Sequence, residues 1–240
     1  MSDNPTTAGR VSFPDTAWTR VLAGRCGDAT QTSRALEDLC RQYWPAIYSY
    51  LRALGQTKEE AEDAAQEFVA AFILGEPLHR ADPERGRLRS YMKQSIRNFL
   101  AKRIRDAVRL KRGGGAEHTS LDNTAAEPAT GSPPDQAYDR EWAFTVMEHA
   151  ITSLRENYTA RGKAALFDLL KPALAGVEPL QPYAVIGLSA GVSEAQIKLE
   201  VHRARRRLAD VLRREVAATV ATEAAVEEEL RYLLTVLSHE

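Results

Sequence analysis

From Gly113, Gly114 and Gly115 to Pro133 and Pro134 the chain is dominated by Pro, Gly, Asn, Ser and Thr. Such a stretch offers too little apolar surface to offset the entropy of ordering it. We therefore read 113–137 as a flexible linker, so the remainder must fold as two blocks. Neither block has period-two alternation suggesting a strand; apolar residues recur instead at three- and four-residue steps. The expected fold is all-α, two small helical domains joined by a flexible linker. The expected boundaries are an N-terminal extension over 1–34, a first domain over 35–112, a second over 138–214 and a C-terminal helical extension over 215–240.

In the first block, Leu36, Leu39, Cys40, Tyr43, Trp44, Ile47, Tyr50, Leu51 and Leu54 share one helix face, which Gly55 ends. Pro45 lies inside that pattern and predicts a kink or two shorter helices. Thr57 can cap a second helix with Glu59 and Glu60 in its first turn. Its apolar stripe is Ala61, Ala64, Ala65, Phe68, Val69, Phe72 and Ile73; its opposite face carries Glu62, Asp63, Gln66 and Glu67. A third stripe, Leu88, Tyr91, Met92, Ile96, Phe99, Leu100, Ile104 and Val108, is interleaved with basic residues. An extra short helix is expected earlier, through Trp18 and Val21.

The second block continues the helical spacing from Tyr138 through Trp142, Val146, Ala150 and Leu154, then through Ala164, Phe167, Leu170 and Leu174. Tyr183 to Ala190 reads as a short helix, Gly191 as its left-handed cap, and Ser193 as the start of a helix to about Arg214, with capping-box spacing to Gln196. A short helix, a glycine turn and a longer basic helix form a helix-turn-helix. Its expected small core is Val185, Ile186, Leu188, Val192, Ile197, Val201 and Leu208.

Charge is strongly segregated although the net charge is only -1. Between Arg80 and Arg112 twelve basic residues face three acidic ones, Asp82, Glu84 and Asp106. A second basic cluster, Lys198, Arg203, Arg205, Arg206, Arg207, Arg213 and Arg214, opposes Glu194, Glu200 and Asp210. Acidic residues collect in Glu59 to Glu67 and Glu227 to Glu229.

Other classes fare poorly. No segment nears the roughly 18 apolar residues of a membrane helix, and Met1 to Arg10 is polar, so a cytoplasmic protein without membrane attachment is expected. Cys26 and Cys40 make no C-x-x-C pair and read as plain thiols. His79, His118, His149, His202 and His239 lack ligand spacing, so no metal is expected. There is no phosphate-binding glycine loop, nucleophile elbow or paired H-E-x-x-H, and adjacent Glu62 and Asp63 point in different directions on a helix. Neither an enzyme nor a cofactor is expected.

What remains is binding. In the helix-turn-helix, Gln196, Lys198, Leu199, His202 and Arg203 can reach base edges in the major groove, while Arg205, Arg206 and Arg207 lie toward phosphates. The basic helix of the first block, with Tyr91, Phe99 and Asn98 among its cations, suits single-stranded or melting DNA. Asn98 has the donor and acceptor needed to read an unstacked base; Tyr91 and Phe99 fall on the apolar stripe and read first as core. The acidic face of the second helix repels DNA and suits a basic protein partner, or solubility alone.

These residues together resemble bacterial RNA polymerase sigma factors, particularly the extracytoplasmic-function group. Ala61-Glu62-Asp63-Ala64-Ala65-Gln66-Glu67 followed by Phe68 is similar to the A-E-D-L-x-Q-E-x-F signature of sigma region 2. Arg89-Ser90-Tyr91 through Ile96-Arg97-Asn98-Phe99-Leu100 to Lys111-Arg112 resembles the promoter-melting segment. Tyr183-Ala184 through Gly191-Val192-Ser193-Glu194, with Val201-His202-Arg203, resembles the helix-turn-helix of sigma region 4. The resemblance implies a region 2 bundle and a region 4 helix-turn-helix. It further implies that Glu62, Asp63, Gln66 and Glu67 dock on the clamp helices of the largest subunit of core RNA polymerase. Lys93, Arg97, Asn98, Lys102, Arg105, Arg109, Lys111 and Arg112 would take the melted minus-ten element on the non-template strand. Ser193, Gln196, Lys198, Leu199, His202, Arg203 and Arg206 would read the minus-thirty-five duplex. The linker would thread near the polymerase active-site channel and leave by the RNA exit path. Such a factor is also open to an inhibitory protein partner.

Three positions depart from the pattern: Ala64 stands where the signature has leucine, Gly187 lies mid-helix at about 1 kcal/mol relative to alanine, and Glu200 adds an acid to the reading helix. Thr222 to Leu237 reads as an added helix, with Thr222 as cap, Glu227 to Glu229 on its polar side and Val226, Leu230, Leu233, Leu234 and Leu237 on its apolar side. It is expected to pack on one domain, either to regulate exposure of a basic face or only to complete a core. The rival readings are a stand-alone helix-turn-helix regulator, which leaves the first block unexplained, and a binder of acidic proteins.

Overall fold

The computed structural model describes residues 29–75, 80–82, 86–113, 132–174 and 181–238, and every regular element among them is helical. The helices are α1 (Ala29–Ala53), α2 (Lys58–Leu74), α3 (Leu88–Gly113), α4 (Pro134–Thr159), α5 (Ala164–Leu174), α6 (Tyr183–Ala190), α7 (Glu194–Ala217) and α8 (Glu223–Ser238). The expected helix near Trp18 and most of the expected linker lie outside the described residues.

Helix α1 passes through Pro45 without a break, contrary to one of the two expected outcomes. Burial of Tyr43, Ala46, Ile47, Tyr50 and Leu51 around the proline outweighs the hydrogen bond it removes. The helix also starts at Ala29, inside the stretch assigned to an N-terminal extension. It stops one residue before Leu54, which is therefore half-exposed rather than on the buried face, and Gly55 follows with φ 86°. Helix α2 begins with a full capping box: Thr57 Oγ1 accepts from the Glu60 amide at 3.2 Å, and Glu60 Oε2 accepts from the Thr57 amide at 2.8 Å. Ala61, Ala64 and Ala65 are fully buried, so the alanine at the leucine position of the signature is itself a core residue.

The first 13 residues of α3 belong to this bundle. Leu88, Met92 and Ile96 are buried, while Tyr91 and Phe99 pack at their ring edges on Phe72 and Phe68 at 6.3 and 5.7 Å. Those two aromatics are core, as their place on the stripe suggested. From Ala101 onward α3 leaves the core, and Ile104, expected on the packed stripe, is 63% exposed.

One hydrophobic core runs through both blocks, because α4 lies along α1 and joins Tyr138, Trp142, Val146, Ala150 and Leu154 to it. Tyr50 and Tyr138 meet edge to face across that seam at 6.4 Å. Helices α7 and α8 continue the same core with Leu208, Val211, Leu212, Val216, Val226 and Leu233. A second, smaller core holds the helix-turn-helix: Leu170, Ala173, Ile186, Ile197 and Val201. The all-helical expectation with a separate packing unit for the helix-turn-helix therefore matches. Its expected membership does not. Val185, Leu188 and Val192 are exposed, Leu188 by 82%, and Leu208 belongs to the larger core. The reason is that α5 supplies Leu170 and Ala173 under α6, so α6 turns its other face outward.

Among the described residues, no helix is long and apolar enough to cross a membrane and no cluster has metal-ligand character.

Candidate nucleic-acid and polymerase interfaces

The turn between α6 and α7 has the geometry its residues require. Gly191 takes φ 67° and ψ 29°, a left-handed conformation that glycine adopts without a Cβ clash. Its amide donates back to α6, and that of Val192 donates to the Gly187 carbonyl at 2.9 Å. Gly187 is no defect in this setting. A Cβ there would stand 2.7 Å from the Val192 carbonyl oxygen, so the missing side chain is what lets the turn close on α6. Ser193 then caps α7 reciprocally with Gln196.

Helix α7 buries Ile197, Val201, Ala204 and Leu208, which turns Gln196, Lys198, Leu199, His202, Arg203 and Arg206 to the surface. All seven residues expected at the duplex thus lie at or beyond the helix start on exposed positions. Lys198 pairs with Glu194 at 2.7 Å along the surface. Two of the arginines expected toward phosphates also make contacts within the chain. Arg205 donates to the Ala173 carbonyl at 2.8 Å. Arg207 lies 3.3 Å from Glu200, which also accepts from the Tyr158 hydroxyl at 2.7 Å. Glu200, the acid that departs from the pattern, therefore ties α7 to α4. Burial raises its carboxyl, but Tyr158 and Arg207 outweigh that and hold it below the usual range.

The acidic face of α2 is exposed: Asp63, Gln66 and Glu67 point outward, and Glu62 is half-exposed near Lys58 at 4.0 Å. Glu67 lies 3.2 Å from Arg103, where this face meets the projecting part of α3.

Helix α3 divides into two regions. Beyond the core, Lys102, Arg105 and Arg109 are exposed; the side chains of Lys111 and Arg112 lie outside the described ones. Nearer its start the cations are paired with acids from α4 and α8. Arg89, only 4% exposed, donates to Asp139 at 2.7 Å and to both oxygens of Glu229 at 2.8 and 3.1 Å. Its guanidinium sits 4.4 Å from the centre of the Tyr232 ring and 5.0 Å from that of Trp142. Burial pulls its pKa down, and the two carboxylates more than offset that. Lys93 reaches Asp139 at 2.9 Å, and Arg97 reaches Asp135 at 2.5 Å. Arg87 contacts Glu228 at 2.7 Å and Glu229 at 3.1 Å. Asn98 is exposed and accepts from the Gln94 amide at 3.0 Å.

The buried network was missed by the sequence reading, which set Glu229 on the polar side of the last helix and Lys93 among open cations. A signal existed. Glu229 falls three residues after Val226 and four before Leu233, on the apolar stripe, and Asp139 falls three before Trp142. The Asp139 carboxyl is pushed up by burial, then drawn below its usual range by Arg89, the Tyr232 hydroxyl and Lys93. Cys40 is buried and its thiol is pushed up to about 12, which fits an unreactive side chain; Cys26, His79, His118 and His239 lie outside the described residues.

Comparison with curated proteins and with solved structures gave no match. Residues 39–110, which hold α2, the core of α1 and the basic part of α3, match the family described as Sigma-70 region 2, so the first block carries a sigma region 2 domain and supports a sigma factor.

Proposed function

We propose that the chain is an alternative sigma factor of the extracytoplasmic-function type, which binds core RNA polymerase and directs promoter-specific initiation. One observation carries the reading: a Sigma-70 region 2 domain over 39–110 precedes, in the same chain, a helix-turn-helix with a left-handed glycine turn and an outward, capped second helix. A stand-alone regulator has no use for the first of these.

In this reading Glu62, Asp63, Gln66 and Glu67 dock on a basic surface of the largest polymerase subunit, and the exposure of that face supports it. Asn98, with Lys93, Arg97, Lys102, Arg105, Arg109, Lys111 and Arg112, takes the melted non-template strand: an amide to read an unstacked base, cations for the backbone. Ser193, Gln196, Lys198, Leu199, His202, Arg203 and Arg206 meet the minus-thirty-five duplex. Leu199, half-exposed on α7, suits a thymine methyl group. The work is done in the cytoplasm, and an inhibitory protein partner would act by covering one of these faces.

The test is association with core polymerase followed by in vitro transcription across a promoter library. Tight binding to core with weak binding to duplex DNA alone is expected. Tight, independent duplex binding without core association overturns the proposal in favour of a regulator.

A further inference from the structure

Four basic residues near the start of α3, Arg87, Arg89, Lys93 and Arg97, span almost three turns, about 2.8, of that region. Each has a carboxylate partner, and every partner comes from α4 or α8: Glu228, Glu229, Asp139 and Asp135. Four cations thus meet four anions from α4 and α8, while Lys102, Arg105 and Arg109 farther along the helix project beyond the core. The α7–α8 connection is fixed to the same place, since the Leu88 amide donates to the Thr219 carbonyl at 3.0 Å.

We propose that α8 and the first turns of α4 form a built-in clamp, whose carboxylates stand in for DNA phosphates on α3 and hold back binding of single strands until the clamp opens. The inference rests on reading α3 as the strand-contacting helix. Its parts differ in strength. Arg97–Asp135 and Arg87–Glu228 are partly exposed pairs of the kind that contribute little to stability, so phosphate oxygens can replace those carboxylates at small cost. Arg89 with Asp139 and Glu229 is the buried anchor. Buried ion pairs are seldom more stabilising than apolar packing of the same volume, and a switch is among their best-attested uses. Apolar residues at these positions would hold α8 permanently; charges hold it in a way that a competing polyanion can contest.

The experiment uses the full chain and a short labelled single-stranded DNA of random sequence. The double variant Asp135→Asn/Glu228→Gln releases Arg97 from its carboxylate, leaving its contact with the Tyr50 side chain, and loosens Arg87 without touching the buried anchor. A second double variant, Glu148→Gln/Glu156→Gln, changes net charge equally at exposed positions of α4 that take no part in the clamp. One freed cation steepens the salt dependence of strand binding by about 0.7 in log–log slope, so a fourfold rise in salt should cost the clamp variant about 2.6-fold more affinity than the wild type. At low salt the clamp variant should bind more tightly than both others. Equal gains in the two variants, no gain, or no strand binding by any form overturns the clamp. Amide hydrogen exchange supplies a second readout: residues 223–238 should lose protection when DNA is added, and unchanged protection at saturating DNA overturns it. Core polymerase binding is measured on the same samples. Its absence beside a gain in strand affinity removes the proposed function and leaves the clamp standing, whereas its presence without that gain removes the clamp alone.

Discussion

Replacing Arg89 by methionine tests whether the buried network organises the fold. Methionine keeps most of the length and the contact with Trp142 and Tyr232 while removing the charge. It strands two carboxylates, but not completely. Glu229 keeps Arg87 at 3.1 Å, and Asp139 keeps Lys93 at 2.9 Å and the Tyr232 hydroxyl at 2.6 Å. Breaking a buried pair costs about 3–5 kcal/mol, and the surviving partners put this case at the lower end, about 3 kcal/mol. For a chain of this size that lowers Tm by about 6–12 °C. Arg97→Met removes a nominally similar pair whose members are 44% and 48% exposed, where about 0.2–1 kcal/mol is expected. Thermal unfolding followed by far-ultraviolet circular dichroism at neutral pH measures both. A third variant, Arg89→Met/Glu229→Leu, removes the stranded acid whose other partner, Arg87, keeps Glu228, and should recover part of the loss. If Arg89→Met and Arg97→Met lower Tm equally, or if that double variant is less stable than Arg89→Met, the burial argument is wrong.

Other expectations follow from single contacts. Gly187→Ala gains about 1 kcal/mol of helix propensity but drives a methyl group against a backbone oxygen at 2.7 Å, where overpacking costs about 1–3 kcal/mol; a net loss of stability in chemical denaturation is expected, and a gain would refute the close approach. The Asp139 carboxyl is depressed in the folded state, so its contribution is complete above about pH 4, its unfolded value, and is lost as pH falls through the folded one. The stability gap between wild type and Asp139→Asn should therefore narrow on acidification below about pH 4, as measured by Tm against pH, and a constant gap counts against the ionised assignment. Arg203→Ala should cost about 1–3 kcal/mol at particular minus-thirty-five bases in a promoter-variant transcription assay, whereas a uniform loss across sequences would make Arg203 a phosphate contact only.

Helix existence, caps and faces were legible in the sequence because they depend on neighbours within a turn or two. Thr57 and Ser193 cap the helices they precede, Gly191 takes its left-handed turn, and the stripes of α2 and the start of α3 are buried as their spacing implied. Leu54, Ile104 and Leu188 escaped the same logic. Each lies at apolar spacing, yet burial also requires a neighbour opposite, and α1 ends before the first, α3 leaves the core before the second, and α5 takes the other face of α6 in the third. The exposed acidic and basic faces were legible too; their partners were not.

The pairing of charges was the least legible part, and the reason bears on function. Arg89 meets Glu229 across 140 positions and Asp139 across 50, so no local rule links them. Counting charge along the chain treated all the cations of α3 as one surface, but packing of α4 on α1 brings a matching set of carboxylates onto its first half alone. The electrostatic face that remains open is thus shorter than the one encoded. Its length depends on whether α8 and the head of α4 stay seated, which makes the reach of this helix toward nucleic acid a property of the tertiary contact and not of composition. A cation held by a carboxylate in the same chain must lose that partner before it can release a counterion to bound DNA. Under the proposed clamp, strand binding and the seating of α8 compete for the same cations, and each disfavours the other by the same coupling free energy.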